Sequence, residues 1–477
     1  MSAMEQLPLR QESLQQFQEN FERRRRLEHL AKITAVAGVA VLLVVAITAS
    51  FPLAPKSPPY VAELKRVTRS FQDQNFSASV RVSANGESKF ANAIGFASEE
   101  LHVSLQETSV FPIGSNSKLF VSVALYQLQE RGLVNLSLAV NDYLNQSDFV
   151  KFGLANQARW CPRLHGAASD SPCERITFVN LLNMGSGIGD SVNCDNVEPQ
   201  FCRQSANDLA VYKGSIGAHV GVFINDPLVF KPGSNYSYAN PNFVLLSYMV
   251  EKLSGQALDV YVKEHISDKI GLPDTFYDPY SGLMSVSRGY VDQYVDYYVE
   301  GKEDGSRPAE YLATGTCSPY MNSGAVSGSG GFRSTTTDMH KWYSDLFHNH
   351  GRSSKVLTAE SISAIVHRRN PSLLAYAQGV GVAFANETES AWPELVTYCG
   401  GMKCAITCLR MKIFTPERSV VTSSFTNHIQ LYFASRVDFD AWRPTKFLFL
   451  TAEGIVREGN GVTELLNDLM SAFLKFF

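Results

Sequence analysis

The stretch VFPIGSNSKLF, residues Val110–Phe120, places a serine and a lysine three positions apart where a helix is predicted to begin. Apolar residues then recur with helical spacing up to Gly132. Residues three apart on a helix project from the same face, so the side chains of Ser115 and Lys118 lie together. Burial lowers the pKa of a lysine, and its amine can then accept the proton of the serine hydroxyl. The stretch therefore predicts a nucleophilic serine at a helix N-terminus, where backbone N–H groups stabilise an oxyanion.

The Ser-x-x-Lys pattern is short, and such a motif arises by chance about once or twice in a chain of this size. Lys118 is, however, the only lysine of the chain with a serine three residues before it. Pro112 and Gly114 come just ahead, and a helix follows, which is the setting that this motif requires. We therefore take Ser115 and Lys118 as catalytic candidates, with a coincidental match as the alternative.

The composition is that of a globular protein without nucleic-acid character. The chain has 477 residues, of which 45% are hydrophobic and 18% charged, and its formal net charge is −4. This length supplies enough apolar residues for the core of one large domain or of two smaller ones. Because the charges nearly balance, we expect no nucleic-acid partner.

An uncharged apolar run near the N-terminus, residues 33–51, predicts one membrane-spanning helix. At about 1.5 Å per residue, the run is just long enough for a hydrocarbon core about 30 Å thick. Its length and late start argue against a cleaved signal peptide, and the glutamates ahead of it argue against a mitochondrial transit peptide. A buried helix of a soluble protein is the other alternative.

The basic residues around this run predict its orientation. Arg23–Arg26 and Lys32 precede it, whereas only Lys56 and Lys65 follow closely. Positive residues favour the cytoplasmic side, so we expect the N-terminus in the cytoplasm and the bulk of the chain outside the cell or in a lumen.

A proline-rich stretch after the apolar run predicts an extended linker. Together with the apolar run, it divides the chain into four segments. The expected segments are a cytoplasmic tail (1–32), a transmembrane signal anchor (33–51), the linker (52–65) and one large domain (66–477).

The cysteines also indicate a compartment. All eight follow the predicted membrane segment, and an even number there favours an oxidising lumen or cell exterior. Cys161–Cys173 and Cys194–Cys202 are candidate local pairs, but spacing does not determine connectivity, and free buried thiols are the alternative. Five Asn-x-Ser/Thr sequons also follow the segment, which predicts a glycoprotein if the chain enters a eukaryotic secretory pathway.

Strand and helix patterns predict a sheet built from both ends of the domain. The Asn85-Gly86 pair between two alternating stretches is a strong hairpin signal. With strands at both ends and helices between them, one sheet closed by N- and C-terminal segments is expected. The predicted later elements are helices over 241–254, 336–347 and 461–477, strands over 379–385, 405–414, 419–424 and 447–450, and polar surface insertions over 157–174 and 190–213.

Several stretches together resemble the serine β-lactamase and penicillin-binding-protein superfamily, in the branch related to class C β-lactamases. The Ser-x-x-Lys motif is the first of these. The others are similar to the family's Leu-Leu-x-x-x-Ser-Gly turn, its Pro-Gly and Tyr-x-Asn segment with the stretch after it, and its Gly-Gly-x-x-Ser-Thr-x-x-Asp turn. They lie at 176–188, 230–255, 266–276 and 329–338 within a resemblance that covers about residues 66–430.

The resemblance implies an α/β fold of the α+β type, in which a mainly antiparallel sheet is flanked by helices and adjoined by a helical subdomain. The active site of such proteins lies between the two parts. The resemblance also implies an acyl-serine mechanism, with neither metal nor cofactor.

The family's second motif matches Tyr238-Ala239-Asn240. The same tripeptide pattern occurs twice more in the chain, but only here does Pro232-Gly233 precede it and an amphipathic helix follow. The resemblance implies that Tyr238 shuttles protons to the leaving group, and a nearby lysine ammonium is expected to favour its phenolate. Asn240 is expected to hold Lys118 and the substrate amide. A tyrosine packed in a loop is the alternative.

The third motif departs from the family. Where the family has Lys-Thr-Gly or His-x-Gly, this chain has Tyr398-Cys399-Gly400, followed by Gly401. The glycines allow the strand to approach a substrate closely, and the N–H groups of Gly401 and Ser115 are expected to form an oxyanion hole. Tyr398 is not a cation at neutral pH, and Lys403 is in the wrong register to replace one.

Three functions are therefore open. The first is a membrane-anchored serine hydrolase that cleaves an ester or amide of a small-molecule or peptide acyl substrate. The second is a catalytically inactive ectodomain that acts as a binding or scaffold module, which the altered third motif keeps open. The third is a mitochondrial relative facing the intermembrane space, against which the acidic N-terminus and the sequons argue. The oligomeric state and natural substrate do not follow from the sequence.

Overall fold

The hairpin predicted at Asn85-Gly86 forms and joins the first two strands of the main sheet. Asn85 and Gly86 have positive φ angles of 52° and 80°, the combination that a two-residue type I′ turn requires. The Oδ1 atom of Asn85 also accepts a hydrogen bond from the backbone N–H of Ser419 (2.9 Å). The turn therefore ties the start of the domain to a strand near its end.

The computed structural model describes most of the chain beyond residue 56, and residues from Pro59 onward form one compact unit. The described ranges are 57–73, 77–190, 214–277, 294–299, 310–316, 326–367, 375–384, 392–402, 405–426, 428–433 and 462–476.

The strands that the described ranges contain are β1 (Ala78–Ala84), β2 (Glu87–Ile94), β3 (Phe96–Ser98), β4 (Val103–Ser104), β5 (Phe111–Pro112), β6 (Phe276–Tyr277), β7 (Tyr294–Val299), β8 (Glu310–Thr316), β9 (Phe332–Ser334), β10 (Tyr376–Ala377), β11 (Val380–Ala383), β12 (Leu395–Met402), β13 (Ala405–Thr415), β14 (Arg418–Thr426) and β15 (His428–Phe433). Seven of them form the main sheet, all paired antiparallel, in the order β10-β11-β12-β13-β14-β1-β2. Strands from both ends of the domain thus share one sheet, which confirms the predicted closure.

The helices that the structure describes lie between and around these strands. They span Pro59–Gln72, Ser117–Glu130, Gln146–Lys151, Phe178–Leu182, Ile216–Phe223, Asn240–Ser254, Leu258–Val262, Asp268–Ile270, Ser327–Gly330, Thr336–Phe347, Ala359–His367 and Val462–Leu474, with a π-helical turn at Lys263–Ser267 and 3₁₀ turns at Gly114–Asn116, Val140–Tyr143 and His348–Gly351. The α/β fold predicted from the sequence, with an antiparallel sheet and flanking helices, is confirmed.

One face of the main sheet is covered by the first and last described helices. Leu64 and Leu469 are fully buried there in one apolar cluster with Val80 of β1. The helix Pro59–Gln72 begins inside the segment 52–65, which was expected to be an extended linker. Proline is well tolerated in the first turn of a helix, and the buried apolar residues after it recur at helical spacing, so the helix starts at once.

The helix that follows the candidate serine packs against the helices Asn240–Ser254 and Ser327–Gly330. Most side chains of Ser117–Glu130 are buried, so this helix is enclosed by the domain rather than lying on its surface. The ring of Phe120 stacks on Trp342 and Phe332, with centroids 4.3 and 5.2 Å away. This packing fixes the helix, and with it the candidate serine at its N-terminal end.

Several sequence predictions fall outside the described residues. They are the cytoplasmic tail 1–32, the membrane segment 33–51, the strand 447–450 and nearly all of the insertion 190–213. Of the helices that the structure does describe, none has the length and apolar character needed to cross a membrane.

Candidate active site

Ser115 lies in a 3₁₀ turn, Gly114–Asn116, that leads directly into the helix Ser117–Glu130. Gly114 has a positive φ of 50°, a backbone conformation that glycine adopts at little cost. The turn leaves the Ser115 side chain half-buried, whereas Lys118, one helical turn on, is fully buried. The Nζ atom of Lys118 lies 2.9 Å from the Oγ atom of Ser115. The predicted serine–lysine pair is therefore in hydrogen-bonding contact.

Lys118 has two further partners, both of them oxygens without a proton. Its Nζ atom donates to Oδ1 of Asn240 (2.9 Å) and to the backbone carbonyl of Ser329 (2.6 Å). Burial lowers the pKa of Lys118 to about 7, an effect that the negative charge of Asp190 partly opposes. A neutral amine has two N–H groups and one lone pair. If the two oxygens take the N–H groups, the lone pair faces Ser115 and can accept its proton.

Asn240 is itself held from behind. Its Nδ2 atom donates to Oδ2 of Asp190 over 3.1 Å, which fixes the amide so that its oxygen faces Lys118. Asp190 is buried, with 1% of its surface exposed. The sequence had suggested only that Asp190 begins a surface insertion, so its place in the site was missed; an acidic residue before a polar stretch gives no sign of burial.

Tyr238 contacts Ser115 from the other side. Its hydroxyl lies 2.6 Å from Oγ of Ser115, and its ring centroid lies 4.9 Å from Nζ of Lys118. Burial raises the pKa of Tyr238, while hydrogen bonding with Ser115 and Tyr398 opposes the effect. The expectation of a favoured phenolate is therefore wrong, because burial disfavours the phenolate and also lowers the pKa of Lys118, which weakens the positive charge that would stabilise a phenolate. Tyr238 is a neutral phenol, able to donate its proton.

The strand β12 carries the third motif against the serine turn. A Cβ atom on Gly400 would lie only 2.8 Å from the backbone nitrogen of Ser115, and one on Gly114 only 2.5 Å from the carbonyl oxygen of Gly401. No larger residue fits at either position, so the strand and the turn touch through their backbones. Thr407 on β13 locks the contact by donating to the carbonyl of Ile113 over 3.0 Å. Gly401 is exposed beside the turn.

Tyr398 is the residue predicted to stand where the family has a cation. It is half-buried, and its hydroxyl interacts with that of Tyr238. Burial raises the pKa of Tyr398, so the residue is a neutral phenol and not a charge. Lys403 lies outside the described residues.

Two further tyrosines, which the sequence did not single out, join Tyr238 and Tyr398 in what we call the tyrosine cluster. Tyr376, on β10, is buried at its centre, and its ring centroid lies 5.9 Å from Tyr236, 6.5 Å from Tyr238 and 6.2 Å from Tyr398. Tyr236 could have been suspected from its place two residues before Tyr238. Tyr376 belongs to a two-residue strand that no local pattern reveals.

A disulfide lies directly behind the third motif. Cys399 and Cys408 face each other across β12 and β13, with Cα atoms 4.1 Å apart. Cys408 belongs to the apolar cluster under the terminal helices, whereas Tyr398 packs on the cluster that holds the serine helix. The disulfide therefore staples the strand on the face turned away from Ser115.

The predicted pair Cys161–Cys173 is confirmed as a disulfide, and Cys194 and Cys202 lie outside the described residues. Throughout the described ranges, no cluster of three or more His, Cys, Asp or Glu side chains is placed to hold a metal ion.

Comparisons of the sequence with known proteins agree on one protein family. Residues 64–426 match the family model described as Beta-lactamase. The chain is 24% identical over 336 residues to penicillin-binding protein 4* of Bacillus subtilis, which is 69% of this chain and 64% of that protein. It is 31% identical over 111 residues to a putative D-alanyl-D-alanine carboxypeptidase of Escherichia coli K12, covering 23% of this chain and 25% of that protein. The matches thus span less than two thirds of these relatives' own lengths.

Solved structures share the fold. A penicillin-binding protein from Bacillus halodurans superimposes with a TM-score of 0.55 at 18% identity, covering 82% of this chain and 99% of that one. The D-amino acid amidase from Ochrobactrum anthropi superimposes with a TM-score of 0.58 at 13% identity, covering 87% and 98%.

Proposed function

We propose that this chain, which belongs to the β-lactamase family, is a serine hydrolase that cleaves an ester or amide through an acyl-enzyme on Ser115. The observation that supports this most is the set of contacts around Lys118. Two carbonyl oxygens and the Ser115 hydroxyl surround a buried amine whose pKa is lowered to about 7. A general base is most effective when its pKa lies near the working pH.

The first step is acylation. The Ser115 hydroxyl gives its proton to the neutral Nζ of Lys118 while Oγ bonds to the substrate carbonyl carbon. The carbonyl oxygen becomes an oxyanion, for which the N–H groups of Ser115 and Gly401 are the proposed donors. The close approach of β12 to the serine turn would bring these two N–H groups to the same side of the substrate.

The intermediate then collapses. The bond from the carbonyl carbon to the leaving oxygen or nitrogen breaks, and Tyr238 gives that atom its proton. The Lys118 ammonium returns its proton to the Tyr238 oxygen, so both groups are neutral again. Water next attacks the acyl carbon and passes a proton to Lys118, which restores it to Oγ of Ser115 as the acid leaves.

We propose further that the substrate lacks a carboxylate beside the scissile bond. In related enzymes the cation of the third motif helps to hold such a carboxylate. Here Tyr398 offers a neutral hydroxyl and an aromatic face. A charge-assisted hydrogen bond contributes about 1.5–3 kcal/mol against about 1 kcal/mol for a neutral one, so carboxylate selectivity would fall about tenfold.

We also propose that the chain is anchored by residues 33–51, with the N-terminus in the cytoplasm and the hydrolase domain outside the cell or in a lumen. The arginines before the apolar run support this orientation, and a disulfide on the strand of the third motif accords with an oxidising compartment.

Labelling with a serine-reactive fluorophosphonate tests the proposed activity. Full-length protein in detergent should be labelled at Ser115, as located by mass spectrometry, and Ser115→Ala should lose labelling and ester hydrolysis. Lys118→Ala should lose at least about a thousandfold in kcat/KM, because members of a catalytic unit act together. Ser353→Ala, at an exposed serine, is the matched control and should be unaffected. A folded wild-type protein that neither labels nor hydrolyses any ester would instead support the catalytically inactive binding module.

A further inference from the structure

We propose that the tyrosine cluster is the leaving-group site of this enzyme, and that it selects uncharged esters or amides whose leaving alcohol or amine carries an aromatic ring. The inference rests on the proposed function, since it names the substrate class of the same site. It assigns a binding role to Tyr236 and Tyr376, neither of which belongs to the Ser115, Lys118 and Tyr238 machinery.

The position of the cluster follows from the role of Tyr238. The hydroxyl of Tyr238 lies 2.6 Å from Oγ of Ser115 and is the group placed to protonate the leaving atom. The portion of the substrate beyond that atom must therefore lie on the Tyr238 side of the nucleophile. The neighbours of Tyr238 on that side are the other rings of the cluster, Tyr376 and Tyr398.

The packing leaves aromatic surface available to a ligand. Tyr376 is buried and supports the other rings, whereas Tyr236, Tyr238 and Tyr398 are each only partly buried. The rings meet Tyr376 at interplanar angles between 56° and 88°, so they do not stack face to face on it. Such tilted rings form a wall on which a further ring can pack edge-to-face or offset, the arrangements that aromatic pairs prefer.

The charge of the tyrosine cluster and its surroundings determines which aromatic leaving groups can bind there. Burial raises the pKa of Tyr236 to about 12 and that of Tyr376 and Tyr398 further, so all are neutral phenols. Asp190 acts on Tyr238 as a negative charge, and the same charge would repel an anionic substrate. Asp190 is itself buried, with 1% of its surface exposed, so it presents almost no surface to a cationic ligand. A neutral aromatic group is the ligand that suits this surface.

A series of acetate esters tests the inference on the full-length protein. Benzyl, cyclohexylmethyl, methyl, 4-carboxybenzyl and 4-(trimethylammonio)benzyl acetates share one acyl group and differ only in the leaving alcohol. The kcat/KM values are divided by the rates of hydroxide-catalysed hydrolysis to remove intrinsic reactivity. The corrected kcat/KM of benzyl acetate is expected to be about fivefold to tenfold higher than that of the cyclohexylmethyl ester. It is expected to be about tenfold higher than that of the 4-carboxybenzyl ester.

Variants at Tyr236 locate the effect. Tyr236→Leu should reduce the benzyl-over-cyclohexylmethyl ratio of kcat/KM to about one to two, chiefly through KM. Tyr236→Phe keeps the ring and should keep the ratio. If Tyr236→Leu does not fold, the ratio in the unmodified protein and in Tyr236→Phe still decides the matter.

The outcomes separate this inference from the function on which it rests. Ser115-dependent hydrolysis of all the neutral esters without a benzyl preference would overturn the inference and leave the hydrolase function standing. A preference for the trimethylammonio or carboxylate ester over benzyl acetate would also overturn it. Absence of both ester hydrolysis and Ser115 labelling would overturn the function itself, and the inference with it.

Discussion

The amine of Lys118 contacts the hydroxyl of Ser115 over 2.9 Å while it also donates to two carbonyl oxygens that have no proton to offer in return. This arrangement sets the direction of proton transfer in the neutral state, because only the serine has a proton to give to the lysine lone pair. The protonation state of Lys118 should therefore control the activity.

The first prediction concerns pH. Because the pKa of Lys118 is lowered to about 7, the base is charged and inactive below that pH and neutral above it. We expect kcat/KM to rise from pH 5.5 to pH 8 with one apparent pKa near 7. Steady-state ester hydrolysis, with the melting temperature recorded at each pH, measures this. Activity that is level across the range, in protein that stays folded, would contradict it.

The second prediction concerns Asp190, whose negative charge raises the pKa of Lys118. Asp190→Asn removes the charge and keeps an oxygen that can accept from Asn240. The acid limb of the pH profile should therefore move to lower pH, with the maximal rate changed little. The same kinetics on the variant measure the shift. Movement of the limb to higher pH would show that Asp190 acts on the lysine in another way.

The third prediction concerns Tyr398. Tyr398→His introduces a group that can carry a positive charge, so the preference should shift toward carboxylate-bearing esters, by about tenfold relative to matched neutral esters. Tyr398→Phe removes only the hydroxyl and should leave the preference for neutral esters unchanged. A strong preference of the unmodified protein for the anionic ester would mean that Lys403 or an arginine supplies a charge.

The fourth prediction compares two disulfides. Cys399→Ser with Cys408→Ser should lower the free energy of unfolding by about 2–3 kcal/mol and should also reduce kcat, because the strand beside Ser115 loses its staple. Cys161→Ser with Cys173→Ser removes a disulfide away from the third motif. That pair is the control, expected to lower stability without lowering kcat. Equal kcat values in the two variants would show that the Cys399–Cys408 disulfide has no special role in catalysis.

The fifth prediction concerns topology. Protease added outside intact cells, or to sealed vesicles whose lumenal side faces outward, should digest residues beyond 52 and spare a tag placed before residue 1. In sealed vesicles with the cytoplasmic side outward, the protease should remove the tag and spare the residues beyond 52. The positions of Arg23–Arg26 before the apolar run are the reason for this expectation.

The parts of the structure that sequence predicts well are those set by local chemistry. Asn85-Gly86 makes its turn because both residues adopt positive φ readily. The helix predicted over 336–347 is Thr336–Phe347, started by the Thr335 side chain, which accepts from the N–H of Asp338. Ser115, Lys118, Tyr238 and Asn240 come together because their motifs, and the turns around them, are legible in short stretches.

The parts that sequence reasoning missed depend on distant contacts. Asp190 and Tyr376 reach the site from segments far along the chain, and the partner of Cys399 is fixed only by the register of β12 against β13. The protonation state of Tyr238 is not predicted correctly from the sequence, for a related reason. Its pKa depends on burial, which the tertiary structure creates and no neighbouring residue reveals.

The two helices that cover the back of the sheet bring the ends of the described domain together. The ring of Tyr60 meets that of Phe473 at 5.1 Å, and Lys475 forms an ion pair with Glu63 at 3.3 Å. A short linker could therefore join the two ends and new termini could be opened at the exposed Asn85-Gly86 turn, giving a circular permutant with the same sheet order. For the same reason the domain is suited to insertion as a cassette into a loop of another protein, since both connections would leave from one place.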